Sequence, residues 1–142
     1  MDFNHTDKIV PQSGVIAWRG QGSSLEVVLV TSRSRKRWVI PKGGLEPDMT
    51  PAESAANEAW EEAGLLGRVS EQPLGCYGYV KMGLLHRVEV YSLQVAQVLE
   101  QWLEMHQRSR RWVSPQAAAD LVHEEGLKAI LRSLNEAIGV GE

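Results

Sequence analysis

A chain of 142 residues with 43% apolar and 23% charged residues fits one domain large enough for a real hydrophobic core. A formal net charge of -3 argues against a protein whose main business is binding nucleic acid, so no stable nucleic-acid partner is expected. Cys76 is the only cysteine, which excludes an internal disulfide and makes a reducing compartment and a buried thiol the simpler expectations. The opening MDFNHTDK has no apolar stretch of signal-peptide length, and no run approaches the ~20 apolar residues of a membrane helix. A cytoplasmic protein without membrane contact is the expectation.

Residues 13–18 and 24–30 are short runs rich in β-branched side chains, separated by RGQGS, and read as an antiparallel hairpin with Arg19 in its turn. The second run is almost wholly apolar, which predicts a strand covered on both faces, with Trp18 in the core or at a pocket edge. Then Arg33, Arg35, Lys36 and Arg37 place four positive charges within five residues on a turn. Such a run is ordinarily solvated surface. Here it leads through a short strand, 38–40, directly into a loop of a different character, PKGGLEPD, in which a phosphate chain can approach glycine backbone and Lys42 can act as a point charge.

After that loop, Thr50, Pro51 and Glu53 form a complete helix start, a capping box with proline in the first helical position. Ala52, Ala56, Ala59 and Ala63 make an inward stripe, and Gly64 supplies the stop. Glu58, Glu61 and Glu62 fall at i, i+3 and i+4, from roughly the opposite side, near the negative end of the helix dipole. Three carboxylates so placed require positive charge. A solvated acidic face is the usual outcome for such a cluster, but the glycine-rich loop beside it favours Mg²⁺, which takes oxygen ligands and shares them with substrate phosphates. The basic turn then acquires a purpose, since arginine forks match phosphate oxygens.

Further on, residues 67–70, 74–80 and 87–95 read as strands, with 81–86 linking the last two and able to overhang the site. His86 is as readily a plain loop histidine as a phosphate donor, and Tyr77, Tyr79 and Tyr91 read as packed residues with wet hydroxyls. A polar connection over 99–106 precedes a basic strand at 108–113. Ser114 and Pro115 open a helix through 122, and a last helix over 126–134 carries the stripe Leu127, Ile130, Leu131 and Leu134. No repeat or linker divides the chain, so residues 1–142 are expected to form a single domain with its core at 13–134.

The loop and first helix resemble the Nudix box, G-x5-E-x7-R-E-U-x-E-E-x-G-U, with U a bulky apolar residue. Gly43, Glu58, Glu61, Glu62, Gly64 and Leu65 fall on its positions, Ala59 is a small version of the first U, and Met49 and Asn57 replace its first Glu and its Arg. The two departures offset one another, because Met with Asn leaves no uncompensated charge. Outside the box, Ser32-Arg33, His86-Arg87, VLEQW from Val98 and the basic RSRRW strand are similar to the branch containing diphosphoinositol polyphosphate phosphohydrolases, whose members also cleave diadenosine polyphosphates. The resemblance implies an α/β/α sandwich around a mixed sheet. It implies phosphate contacts from Ser32, Arg33, His86 and Arg108, and metal ligation by Gly43, Glu58 and Glu62. Arg19, Arg35, Arg37 and Lys42 complete the candidate substrate-binding set.

The expected reaction is Mg²⁺-dependent hydrolysis of a diphosphate linkage in a polyphosphorylated small molecule, with Mn²⁺ as a possible substitute. Glu58, Glu61 and Glu62 hold the cations. Glu58 is the first choice of general base, with Glu100 and Glu104 as candidates for an extra ligand or base. Diadenosine polyphosphates are the first substrate choice. Diphosphoinositol polyphosphates, nucleoside triphosphates and a capped RNA 5′ end follow, and a non-catalytic polyphosphate sensor is the reading from another class.

Overall fold

The computed structural model describes residues 8–139. All but the last residue of the opening MDFNHTDK, expected to carry no leader, therefore lies outside the described residues. At the centre of the fold is β1, Ile9–Arg19, paired in parallel with β7, Leu84–Val98, from Ile9 opposite Leu85 to Trp18 opposite Gln94. Its other edge is divided between two antiparallel partners. β2, Glu26–Thr31, meets it at Trp18 opposite Val27, and β4, Lys42–Gly44, meets it from Gln12 opposite Gly44 to Gly14 opposite Lys42. β3, Trp38–Val39, and β8, Arg110–Val113, extend β2, while β5, Leu65–Val69, and β6, Gly75–Lys81, pair antiparallel with β7. One parallel pairing among antiparallel ones makes the sheet mixed.

The apolar run of β2 is buried on both faces, as its lack of alternation implies. Val27 and Leu29 enter one core, and Val28 and Val30 enter the other. Above the first lie α2, Pro115–Leu121, α3, Glu125–Arg132, and α4, Leu134–Gly139, which contribute Ala118, Ala119, Leu127, Leu131 and Leu134. Below the second lies α1, Pro51–Ala63. The result is an α/β/α sandwich. Each large aliphatic side chain sealed in these cores contributes roughly 1.5–3 kcal/mol relative to exposure, so the strands carry most of the cohesion. The alanines of α1 contribute chiefly a close approach.

That approach corrects one expectation. Ala55, Ala59 and Ala63 are fully buried, with Ala52 and Ala56 at the border, and the buried arc continues through Ser54, Glu58 and Glu62. The rows 54-58-62 and 55-59-63 are neighbours on a helix, so two of the carboxylates flank the stripe instead of opposing it. They are thereby carried to the sheet edge.

Other boundaries move for local reasons. Lys42–Gly44, expected as loop, is drawn into the sheet by β1. The expected link at 81–86 shrinks to a two-residue turn, Met82 and Gly83, both at positive φ (53° and 76°), and the strand resumes at Leu84. The last helix breaks at Ser133, whose hydroxyl donates to the Ala129 carbonyl at 3.0 Å and competes with the backbone ladder. Cys76, expected buried, is exposed on β6, where the Arg87 guanidinium donates to its sulfur at 3.4 Å. No helix among the described residues is long and apolar enough to cross a membrane.

Candidate active site

The acid wall is set by local sequence. Thr50 accepts from the Glu53 N–H at 3.1 Å while the Glu53 carboxylate accepts from the Thr50 N–H at 2.8 Å, and Gly64 ends the helix in the left-handed region at φ 68°. This fixes where Glu58 and Glu62 emerge. Gly43 lies directly beneath Glu58: a Cβ there would stand 2.5 Å from Oε2 and 2.7 Å from Oε1. Only glycine lets the carboxylate rest on the backbone.

Glu58 and Glu62 are 7% and 5% exposed and stand one helical turn apart on the same row of α1. Burial raises both carboxyls above their ordinary values. Glu62 is pushed up to about 8 by burial despite the nearby Arg108, and its hydrogen bond to Glu58 adds to the effect. Glu58 is raised by burial, with Glu61, Glu104 and Glu46 adding repulsion and the hydrogen bond from Glu62 opposing it. Glu61 turns aside, where the Asn57 amide donates to Oε2 at 2.9 Å. Met49, the other departure from the box, is largely on the surface.

The connection from Leu99 to Ser109 closes the end of this wall. The Glu104 N–H donates to the Glu61 carbonyl (3.1 Å), the Trp102 indole to the Glu62 carbonyl (2.9 Å), and Arg110 to the Ala63 and Leu99 carbonyls (2.7 and 2.6 Å). Carbonyls left unpaired at the end of α1 are thus satisfied, with a cation at the negative end of the dipole.

Glu58, Glu61, Glu62 and Gly43 form part of a cleft of about 880 Å³, together with Glu104 and Arg108. Its basic lining comes from Arg33, Lys36 and Arg37 on the turn, with Ser32 and Ser34, and from Lys42 and Lys81 on β4 and β6. Lys42 Nζ lies 4.9 Å from the centroid of the Tyr79 ring, whose hydroxyl donates to Gln12 Oε1 at 2.8 Å. Burial lowers the Lys42 pKa, with the negative charge of Glu62 pulling the other way.

Of the candidates from sequence, Ser32, Arg33, Arg37, Lys42, Gly43, Glu58, Glu61, Glu62 and Arg108 are brought together in the cleft lining. Arg19 is elsewhere, paired with Glu26 at 3.1 Å and lying 3.8 Å over the Trp112 ring. Arg35 turns from the cleft and donates to the His106 carbonyl at 2.8 Å. His86 stands behind Tyr79, stacked at 4.8 Å. Glu100 is exposed and outside the lining, whereas Glu104 belongs to it. Sequence reasoning missed Lys81 and Gln12. The Met82-Gly83 turn signal marks a hairpin tip beside Lys81, but nothing local shows where that tip points.

Among the described residues no three His, Cys, Asp or Glu side chains stand gathered as a ready ligand set. The donor chemistry nonetheless suits a hard divalent cation: burial raises the pKa of two neighbouring carboxyls, a cost that a bound cation would offset, and two more acids stand at the same cleft.

A three-layer sandwich that sets an acidic helix over a glycine on the floor of a cation-lined cleft is the architecture of a Nudix-type domain. Residues 8–134 match the family model described as NUDIX domain, and the chain belongs to the Nudix family, whose members generally use divalent cations. It is 36% identical over 128 residues to Nudix hydrolase 12, mitochondrial, of Arabidopsis thaliana, covering 84% of this chain and 62% of that protein. It is 35% identical over 114 residues to human diphosphoinositol polyphosphate phosphohydrolase 3-beta, covering 74% of this chain and 68% of that one. The chain spans about six-tenths of the length of the Arabidopsis relatives it matches, 62% and 59% for Nudix hydrolases 12 and 13. Among solved structures, a C. elegans Ap4A hydrolase binary complex superposes with a TM-score of 0.74 over 94% of this chain and 99% of its own, at 20% identity, a likeness of fold.

Proposed function

We propose that this domain is a divalent-cation-dependent hydrolase of diphosphate linkages in polyphosphorylated small molecules, with Mg²⁺ as the working cation and Mn²⁺ as a substitute. The observation that carries this reading is the buried pair Glu58 and Glu62, with Glu58 resting on Gly43, inside a cleft that also gathers Arg33, Lys36, Arg37, Lys42 and Lys81. A cation held there by Glu58, Glu61, Glu62 and the Gly43 carbonyl would neutralise phosphate charge and lower the pKa of a bound water. Arg33, Arg37 and Lys42, with the Ser32 hydroxyl, grip the flanking phosphates and hold the chain in line. Glu58 takes the proton from the attacking water, with Glu104 the alternative base. The exposed free thiol of Cys76 suits a reducing compartment such as the cytoplasm.

Diadenosine polyphosphates are the first choice of substrate, because a long phosphate chain can span from the acids to the basic turn. A specific observation favours diphosphoinositol polyphosphates as the second: Arg33, Lys36, Arg37, Lys42 and Lys81 surround one cleft, a density of charge suited to a compact polyanion. The deciding experiment incubates the protein and Mg²⁺ with both substrate classes and separates the products by anion exchange. Mg²⁺-dependent release of phosphate-bearing products from one class assigns the substrate. Thermal stabilisation by these compounds without product in either metal would overturn the hydrolase reading in favour of a sensor.

A further inference from the structure

Arg108 is the most enclosed cation of the cleft, 7% exposed, and each of its three guanidinium nitrogens already faces a protein oxygen. Nε donates to Glu104 Oε1 at 2.7 Å, Nη1 to the Thr31 carbonyl at 2.9 Å, and Nη2 stands 3.4 Å from Glu62 Oε2. The resemblance from sequence assigns this residue to a substrate phosphate. The geometry ties Nε and Nη2, one edge of its fork, to two carboxylates. Instead it bridges the carboxylate of α1 that lies deepest in the wall and a carboxylate from the 99–109 connection, and anchors both to the end of β2.

We propose that Arg108 is a positioning residue: a built-in counter-cation that holds Glu62 and Glu104 in place before metal binds. Its charge stands in for part of the charge that a divalent ion brings. The physical reason is the cost of leaving a buried carboxylate uncompensated, which is severe when one partner of an enclosed pair is removed. A divalent ion and Arg108 therefore neutralise the same acids, and loss of one makes the protein depend more heavily on the other. A phosphate-gripping arginine would behave differently, because its loss weakens substrate binding and leaves metal binding untouched.

The inference rests on the proposed metal site, and the experiment separates the two. Thermal unfolding of the wild type, Arg108→Gln and the double variant Glu104→Gln/Arg108→Gln is followed without metal and with saturating Mg²⁺, and Mn²⁺ affinity is read by electron paramagnetic resonance. The expected result is a lower metal-free Tm in Arg108→Gln, with a Mg²⁺-induced rise in Tm roughly twofold that of the wild type, because bound cation recovers what the arginine supplied. Removing the two charges together in the double variant should restore most of the lost metal-free stability.

An equal loss of Tm with and without Mg²⁺, or failure to fold at any Mg²⁺ concentration, would make Arg108 a plain structural strut and overturn the inference. An unchanged Mg²⁺ shift accompanied by weaker binding of a non-hydrolysable dinucleoside polyphosphate would overturn it in favour of substrate contact. No Mg²⁺ or Mn²⁺ binding by the wild type would instead bring down the metal site itself, and this inference with it.

Discussion

The two sides of the cleft are built by different means. The acid side, α1 over β4, is specified within a short stretch of chain: a capping box, a proline, a left-handed glycine and a glycine floor, each satisfied by near neighbours. The basic side is a turn whose shape is imposed from far away. Thr31 and Ser109 exchange backbone and hydroxyl hydrogen bonds, and Arg35, held at φ 61°, reaches the His106 carbonyl and the Ser109 hydroxyl. A helix that sets its own termini gives a fixed platform for chemistry, while a turn tied by side chains gives a grip that can vary. Changes on the acid side should therefore cost turnover, and changes on the basic side should cost affinity or a little stability.

The largest effect is expected from Glu62→Gln. The amide keeps the shape but removes a charge that a cation needs, so kcat at saturating Mg²⁺ should fall roughly 10³-fold, equivalent to about 4 kcal/mol of transition-state stabilisation. Circular dichroism should still report a folded protein. Retained turnover would mean that this wall is not where the chemistry happens. Gly43→Ala comes next. Its Cβ collides only with the far end of the flexible Glu58 side chain, so the fold should lose under about 1 kcal/mol while the carboxylate is pushed off the floor and kcat falls about 10²-fold. Equal losses in stability and turnover would show that the glycine serves the fold and not the site.

These two substitutions also show why the acid side was legible. Helix start, helix stop and the spacing of Glu58, Glu61 and Glu62 are local quantities, readable from Thr50 to Leu65 without knowing the fold. Even there one expectation failed: the inward row is Ala55, Ala59 and Ala63, not Ala52, Ala56, Ala59 and Ala63, and the carboxylates flank it instead of opposing it. Packing against the sheet set the rotation of the helix and so brought Glu58 and Glu62 to the sheet edge. On the basic side the residue types were right, but their directions depended on partners more than seventy positions away. Both Arg35 and Arg108 have the chemistry of phosphate binders, but Arg35 has the contacts of a strut and Arg108 bridges two acids. Arg19 is similarly occupied by Glu26 and Trp112.

The acid pair also predicts an unusual pH response. The folded values of both carboxyls lie above the ordinary unfolded value near ~4.3, so their contribution to stability is complete below that value and is lost as pH rises, for Glu62 through about 8. Metal-free protein should accordingly lose Tm steadily between pH 5 and pH 8.5, as far as these two groups control it. Saturating Mg²⁺ should abolish or reverse that slope, because a cation binds the ionised pair and binds better as protons leave. A metal-free Tm that climbs across the same interval would mean that the pair is ionised throughout and that burial does not hold a proton on it.

The smallest effects should separate two of the arginines of the turn. Arg33 is exposed, lines the cleft and has no fixed partner among the described residues, so Arg33→Ala should raise KM about tenfold, the ~1.4 kcal/mol of one charge-assisted phosphate contact, and leave Tm unchanged. Arg35→Ala removes two hydrogen bonds to the 99–109 connection and keeps a side chain at positive φ, so it should cost about 1 kcal/mol, a Tm loss of about 3–5 °C, with KM within about twofold. Arg35→Gly removes the same bonds but suits the left-handed backbone, so it should lose less than the alanine variant. Were Arg35→Ala to raise KM as much as Arg33→Ala with Tm intact, Arg35 would swing to the phosphate when substrate arrives. The basic side would then be a set of mobile fingers, and the rigid tie to His106 and Ser109 would be only its resting position.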